Sequence, residues 1–252
     1  MQRDYLKEKK VRKTIAIIFA GGSGVRMGAG KPKQFLEVNG KPIIIHTLEI
    51  FENHPKIDEI YVACKEDYIE TLSKMLRRFD IEKVKDIVAG GSTGMGSIYK
   101  ALSAAAKSNN DDDIVLIHDG VRPIIADELI NEVIDRVCEK GAAATCTPLF
   151  ETPIVSKSGS VVEETPLRSD CYTAQAPQGY ILGEVLNAHN EIKKDNPEYE
   201  GIVDNCTLMT KLGKDVAIVK GPRSNIKVTT TEDLYIFKAL LEFKETTDAL
   251  GL

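Results

Sequence analysis

Short apolar runs alternate along the chain with longer stretches whose apolar positions recur at helical spacing. The runs Ile15–Ala20, Glu59–Cys64, Val84–Val88, Ile114–His118, Ala142–Pro148 and Ala217–Lys220 read as buried strands. The stretches Pro42–Glu52, Asp67–Phe79, Ser97–Lys107, Asp127–Lys140, Leu182–Lys194 and Thr231–Phe243 read as helices. Strand and helix in turn build βαβ units, which assemble into a mostly parallel sheet flanked by helices. Ligands of such sheets bind beyond the carboxyl ends of the strands. The turn Gly21-Gly22-Ser23-Gly24 follows the first run, Gly90-Gly91 the third and Asp119 the fourth, so one convergent site is expected. Asp67, Ser97 and Thr231 are placed to cap helix starts, because short polar side chains accept from free N–H groups. The polar cluster Ser108–Asp113 reads as a solvated loop.

The alternation fails between Glu151 and Asp170. That stretch predicts two short strands joined by a hairpin turn at Lys157-Ser158-Gly159. An isolated hairpin is marginal in water, so this arm is expected to pack on its own domain or on another surface. The expected organisation is a charged leader over residues 1–13 and one α/β domain over residues 14–245, with the arm at about 150–170.

Composition narrows the function classes. A chain of 252 residues buries enough surface to fold without disulfide or metal. Its 42% hydrophobic and 28% charged content is that of a globular protein. A net charge of -5 argues against general nucleic-acid binding, so any functional cations must be placed locally. The five cysteines are scattered and form no C-x-x-C pair, which fits free thiols in a reducing cytoplasm. No apolar run approaches the ~20 residues that span a membrane, and residues 1–13 lack the apolar segment of a secretory signal.

The candidate chemistry concentrates in Ile15–Phe35. Three glycines in four residues let the backbone bend sharply and come close to a ligand, and N–H groups in such a turn cradle anions. Arg26, Lys31 and Lys33 follow, and charge-assisted bonds from such cations suit a polyphosphate. Lys31 reads as a solvated charge. A dinucleotide-dependent oxidoreductase is a competing reading, but its third glycine position holds Met27 and the acidic residue about 20 positions on is missing. No Gly-Lys-Ser/Thr closes the loop as a P-loop would. His118 ends a strand and reads as structural. Lys227, among apolar neighbours, fits a solvent-facing strand position or a phosphate contact.

The run Ala20 to Gly28 followed by Pro32-Lys33-Gln34-Phe35 resembles the nucleotide loop of the small cytidylyltransferases, the methylerythritol-phosphate and ribitol-phosphate enzymes. The resemblance continues at His118-Asp119-Gly120-Val121-Arg122-Pro123, at Ala176-Pro177-Gln178 and at Asn225-Ile226-Lys227-Val228-Thr229, and covers nearly the whole chain after the first dozen residues. It implies a Rossmann-like nucleotidyltransferase fold and a reaction joining CTP to a polyol phosphate, with pyrophosphate leaving. It assigns catalysis to Arg26, Lys33 and Lys227. Nucleotide binding falls to Ala20, Gly21, Gly22, Ser23, Gly24, Gly91 and Ser97. Substrate binding falls to Asp119, Arg122, Thr152 and Arg168, with Asp119 also beside Mg²⁺. The family's arm reaches a second subunit, implying a homodimer with composite active sites. The sequence departs from the family where Gly94 stands for an Arg, Ala176 for a Thr, and Val203 and Asn205 for the Thr and Glu of methylerythritol enzymes. Ala176, Val203 and Asn205 favour ribitol 5-phosphate or a related pentitol phosphate over methylerythritol phosphate. Gly94 bears on how CTP is held, and with Ala176 it leaves open a nucleotide-binding regulator without catalysis.

Overall fold

The computed structural model describes residues 12–21 and 31–250. The elements in chain order are β1 (Thr14–Ala20), β2 (Glu37–Val38), β3 (Lys41–Pro42), α1 (Ile43–Asn53), β4 (Glu59–Cys64), α2 (Ile69–Arg78), β5 (Val84–Ala89), α3 (Gly94–Ala105), β6 (Ile114–Asp119), α4 (Asp127–Lys140), β7 (Ala142–Pro148), β8 (Tyr172–Ile181), α5 (Leu182–Asp195), α6 (Asn205–Lys211), β9 (Ala217–Lys220) and α7 (Thr231–Leu250). Seven strands form one sheet in the order β5-β4-β1-β6-β8-β7-β9. Its pairings are parallel except those of β8 with β6 and β7.

Strand β1 lies in the interior of the sheet, between β4 and β6, and its alternation serves both faces. Ala16, Ile18 and Ala20 enter one core with α1, α2 and α4, while Ile15 and Ile17 enter the other with α3, α5 and α6. A strand buried on both faces reads as continuously apolar, which is why β1, β4 and β6 are plain in the sequence. Strand β8 is not. Its sequence YTAQAPQGYI carries glutamines, a proline and a glycine, and proline ordinarily argues against an interior strand. Close packing explains the glycine: a Cβ on Gly179 would lie 2.6 Å from Val133–Val137 of α4, at Val137 Cγ2. Helix α6, seven residues long, was also not anticipated.

Three caps differ from the sequence expectation. Thr93, not Ser97, caps α3, accepting from the Gly96 amide at 3.0 Å. Asp67 lies in a short 3-10 turn, and α2 begins without a side-chain cap. At α7 the cap is one residue early: Thr230 Oγ1 accepts from the Asp233 amide at 3.3 Å, and Asp233 accepts in return from the Thr230 amide at 2.8 Å. The loop Ser108–Asp113 is not wholly solvated, since Asp113 is buried and takes the Lys13 and Asn110 amides. The arm lacks the two expected strands. It is an irregular excursion closed by a single antiparallel bridge, Val155 to Glu164, with Gly159 at φ +72° in the turn between them.

Candidate active site

Two cavities open at the carboxyl ends of β1, β5 and β6. The larger, about 570 Å³, is walled by Gly21 and Lys33 from the first loop, by Gly90 to Gly94 from the second, and by Asp119 and Lys227. The smaller, about 220 Å³, is walled by Arg122, Gln175, Ala176, Gln178 and Val203 to Asn205. Phe19, Gly94, Asp119 and Lys227 belong to both. The cavities therefore meet at a carboxylate and an ammonium.

Backbone packing shapes the larger cavity. A Cβ on Gly91 would sit 2.7 Å from the Gly96 carbonyl carbon, so the second loop folds tightly on the start of α3. The Ser97 hydroxyl is enclosed beneath it, accepting from the Gly91 amide at 3.0 Å and donating to the Thr93 carbonyl at 2.9 Å. Ser97 thus fixes the loop's shape. Gly21 packs on the same hydroxyl, joining the two glycine loops. A side chain on Gly94 would meet nothing within 4 Å of its Cβ, so this position is open towards both cavities. Gln34, which sequence reasoning did not single out, is buried and donates to the Ala20 carbonyl at 2.6 Å, tying Lys33 to the end of β1. Its place inside Pro32-Lys33-Gln34-Phe35 was the available signal.

At the junction Asp119 is almost fully buried. Its Oδ2 receives Arg122 Nε at 3.2 Å, and its Oδ1 faces Lys227 Nζ at 2.6 Å without hydrogen-bond alignment. Burial by itself would raise this carboxyl, but the Lys227 and Arg122 cations outweigh it and hold it below its ordinary 3.8. Arg122 is fixed in turn by the Asn225 carbonyl, which accepts from its Nη1 at 2.6 Å. Residues 226–228 form no strand, contrary to expectation; the Ile226 amide donates to the Ser224 carbonyl and the Val228 amide to the Val121 carbonyl, each at 2.8 Å. Val228 is buried against Phe237, and the alternation turns Lys227 the other way, over the Phe19 ring and into the site.

His118 is structural, as read from the sequence. Its Nε2 lies 2.9 Å from the Arg122 carbonyl, and burial lowers it to about 4. His189, equally buried in α5, is also lowered to about 4 by burial. Both titrate near 6.5 when unfolded, so the unfolded chain binds protons first as pH falls. Stability is expected to decline from about pH 6.5 towards pH 4, by up to roughly 3 kcal/mol per histidine, and to level off below, where both states are protonated. Urea midpoints across this range check it; His189→Gln should flatten the decline.

The structure brings Ala20, Gly21, Lys33, Gly91, Ser97, Asp119, Arg122 and Lys227 together around the paired cavities. Arg26, Gly22, Ser23 and Gly24 lie outside the described residues. Thr152 and Arg168 line neither cavity; both are exposed on the arm, where Arg168 Nη1 donates to the Phe150 carbonyl at 3.1 Å.

A glycine-lined cavity joined through opposed charges to a polar one, above a mostly parallel sheet, defines an α/β protein that brings a nucleotide together with a second substrate. The sequence profile of the 2-C-methyl-D-erythritol 4-phosphate cytidylyltransferase family matches residues 14–243, and the chain belongs to this family. It is similar to the ribitol-5-phosphate cytidylyltransferase of Streptococcus agalactiae serotype V, at 44% identity over 94% of this chain and 99% of the relative. It is also similar to the 2-C-methyl-D-erythritol 4-phosphate cytidylyltransferase of Clostridium botulinum strain 657, at 36% identity over 91% of this chain and 98% of the relative. Among solved structures, the 4-diphosphocytidyl-2C-methyl-D-erythritol synthase of Anaerococcus prevotii superposes with a TM-score of 0.79 and 28% identity, over 92% of this chain and 96% of that one. The oxidoreductase reading is set aside.

Proposed function

We propose that this protein joins CTP to D-ribitol 5-phosphate, or a related pentitol phosphate, giving a CDP-alcohol and pyrophosphate. The observation that carries the reading is the junction at Asp119 and Lys227, where the two cavities meet. An acceptor phosphate in the smaller cavity and a triphosphate in the larger adjoin there. An acceptor phosphate oxygen attacks the α-phosphorus in line; that P–O bond forms as the bond to the pyrophosphate oxygen breaks. The nucleophile is already an anion, so no strong base is needed, which suits cavities that no histidine among the described residues lines, with His118 buried and neutral behind them. Lys33 and Lys227, with Arg26 assigned from the resemblance, neutralise charge that develops in the transition state.

Mg²⁺ suits this site. The buried Asp119 carboxylate, with Oδ1 unaligned to any donor, is the group that would hold it. No group of three His, Cys, Asp or Glu side chains is gathered among the described residues, so phosphate oxygens and water would supply the remaining ligands. The ion, when bound, neutralises the triphosphate.

A ribitol-type acceptor is supported by the identities, 44% to ribitol-5-phosphate enzymes against 36% to methylerythritol-phosphate ones. The Anaerococcus likeness keeps methylerythritol 4-phosphate as the second reading. A homodimer through the arm is supported by the apolar groups it exposes, Ile154, Val161, Val162 and Leu167 each at 59% or more. Each chain's Thr152 and Arg168 then serve the other chain's smaller cavity. We place the enzyme in the cytoplasm, where its free cysteines stay reduced; no described helix is long and apolar enough to cross a membrane.

The test is pyrophosphate release from CTP and Mg²⁺ with ribitol 5-phosphate, other pentitol phosphates and methylerythritol 4-phosphate. Ribitol 5-phosphate is expected to give the highest kcat/KM. A clear preference for methylerythritol 4-phosphate reverses the acceptor assignment, and no release with any acceptor refutes catalysis. Sedimentation of the same protein is expected at the mass of two chains; a monomer refutes the shared arm.

A further inference from the structure

The smaller cavity is lined by two chemically different sets of side chains. Arg122 and Lys227, beside Asp119, are cations suited to the acceptor's phosphate. Gln175, Gln178, Asp204 and Asn205 are the polar groups among which the polyol's hydroxyls would lie under the proposed function.

Three of those four side chains are committed to the protein. Gln175 Nε2 donates to the Pro222 and Asn225 carbonyls, at 3.3 Å each, and its Oε1 accepts from Asn225 Nδ2 at 3.4 Å. Gln178 Nε2 donates to Asp204 Oδ2 at 3.1 Å, and its Oε1 accepts from the Tyr180 hydroxyl at 3.1 Å. Asp204 caps α6, with Oδ1 taking both the amide and the hydroxyl of Thr207, at 2.8 and 2.7 Å.

Asn205 differs. Its Oδ1 lies 2.9 Å from His189 Nε2, and His189 Nδ1 lies 2.7 Å from the Tyr199 hydroxyl. An amide oxygen only accepts, so His189 carries its proton on Nε2 and takes the Tyr199 proton on Nδ1. With its oxygen against His189, the Asn205 amide turns Nδ2 away from the ring. Asn205 Nδ2 makes no hydrogen bond with the described residues, and it is not one of the enclosed polar atoms left without a partner. Since Asn205 is buried yet lines the cavity, that amino group opens onto the cavity.

We infer that Asn205 determines acceptor specificity, donating a hydrogen bond from Nδ2 to a hydroxyl of the polyol chain, and that His189 positions it. The inference rests on the proposed polyol-phosphate chemistry. His189 does not touch substrate; its part is to hold the amide so that the donor, not the oxygen, faces the cavity.

Asn205→Asp is the direct test. It keeps an oxygen for His189 and the shape of the side chain while removing the donor. The Michaelis constant for ribitol 5-phosphate is expected to rise about tenfold or more, with that for CTP within about twofold. His189→Phe, which breaks that contact, is expected to raise the acceptor constant in the same way, and His189→Gln, which keeps a donor, to restore most of it. Thermal protection by CTP with Mg²⁺ checks that each variant is folded. An acceptor constant within twofold of the parent for Asn205→Asp overturns the inference, as does an equal rise for CTP. A parent protein that releases no pyrophosphate with any polyol phosphate overturns the proposed function itself, a separate failure.

Discussion

Replacing Lys227 with alanine is expected to lower kcat/KM by about 10³, with the fold retained. The size comes from the place of the charge. Its ammonium lies 2.6 Å from Asp119 at the junction of the two cavities, where the proposed function brings the acceptor's phosphate and the α-phosphate together. Two anions repel, and one preorganised donor aimed at developing charge is worth about 10²–10³ in rate. Loss of the Lys227 cation also removes part of what holds those anions side by side. The fold should survive because the Lys227 side chain is 43% exposed. The buried neighbour Val228 keeps the segment in place. A second readout separates electrostatics from packing. In the parent, the depressed Asp119 carboxyl contributes stability that is present above about pH 3.8 and lost as pH falls through its folded value. Removing Lys227 leaves burial less opposed, so the carboxyl rises and the acid loss begins at higher pH. Near-parental turnover in Lys227→Ala, with pyrophosphate followed directly, would refute the role.

Asp119→Asn is expected to reduce turnover by at least about 10³ and to abolish its response to Mg²⁺. The substitution keeps the size of the side chain and removes its charge. With asparagine the site loses the one buried carboxylate suited to a hard cation, since such ions prefer charged oxygen ligands. It also leaves Arg122, largely buried, without its ion-pair partner at 3.2 Å, so a loss of roughly 1–3 kcal/mol in stability should accompany the change. The kinetic and structural effects separate in a Mg²⁺ titration. Parent turnover should vanish with a chelator and return with Mg²⁺, whereas Asp119→Asn should stay low at every concentration. A variant that regains parental turnover at high Mg²⁺ would show that the carboxylate tunes affinity only.

The parallel half of the sheet was legible because its strands are covered on both sides. Ile15 to Ile18 and Ile114 to Ile117 are buried along their length, and burial on two faces demands apolar residues at every step. Strand β8 was not legible. It carries site residues and a tight helix contact at once, so Gln175, Gln178 and Gly179 replace the apolar pattern that would have announced it. The caps were misplaced for a local reason. Thr93 and Ser97 are both short hydroxyl side chains near the same helix start, and only the fold decides that Thr93 caps while Ser97 anchors the loop.

The amino-acid sequence alone determined the order of strands and helices, the two glycine loops at strand ends, and the cations that flank them. These are local properties: periodicity, turn chemistry and spacing along one stretch of chain. Tertiary structure alone decided that Lys227, Arg122 and Asp119 meet, and that Asn205 stands against His189. Sequence separations of 103 residues between Arg122 and Asn225, and of 16 between His189 and Asn205, are closed by sheet order and helix packing. Such contacts leave no periodic trace, because each residue answers to a partner that only the folded chain brings near.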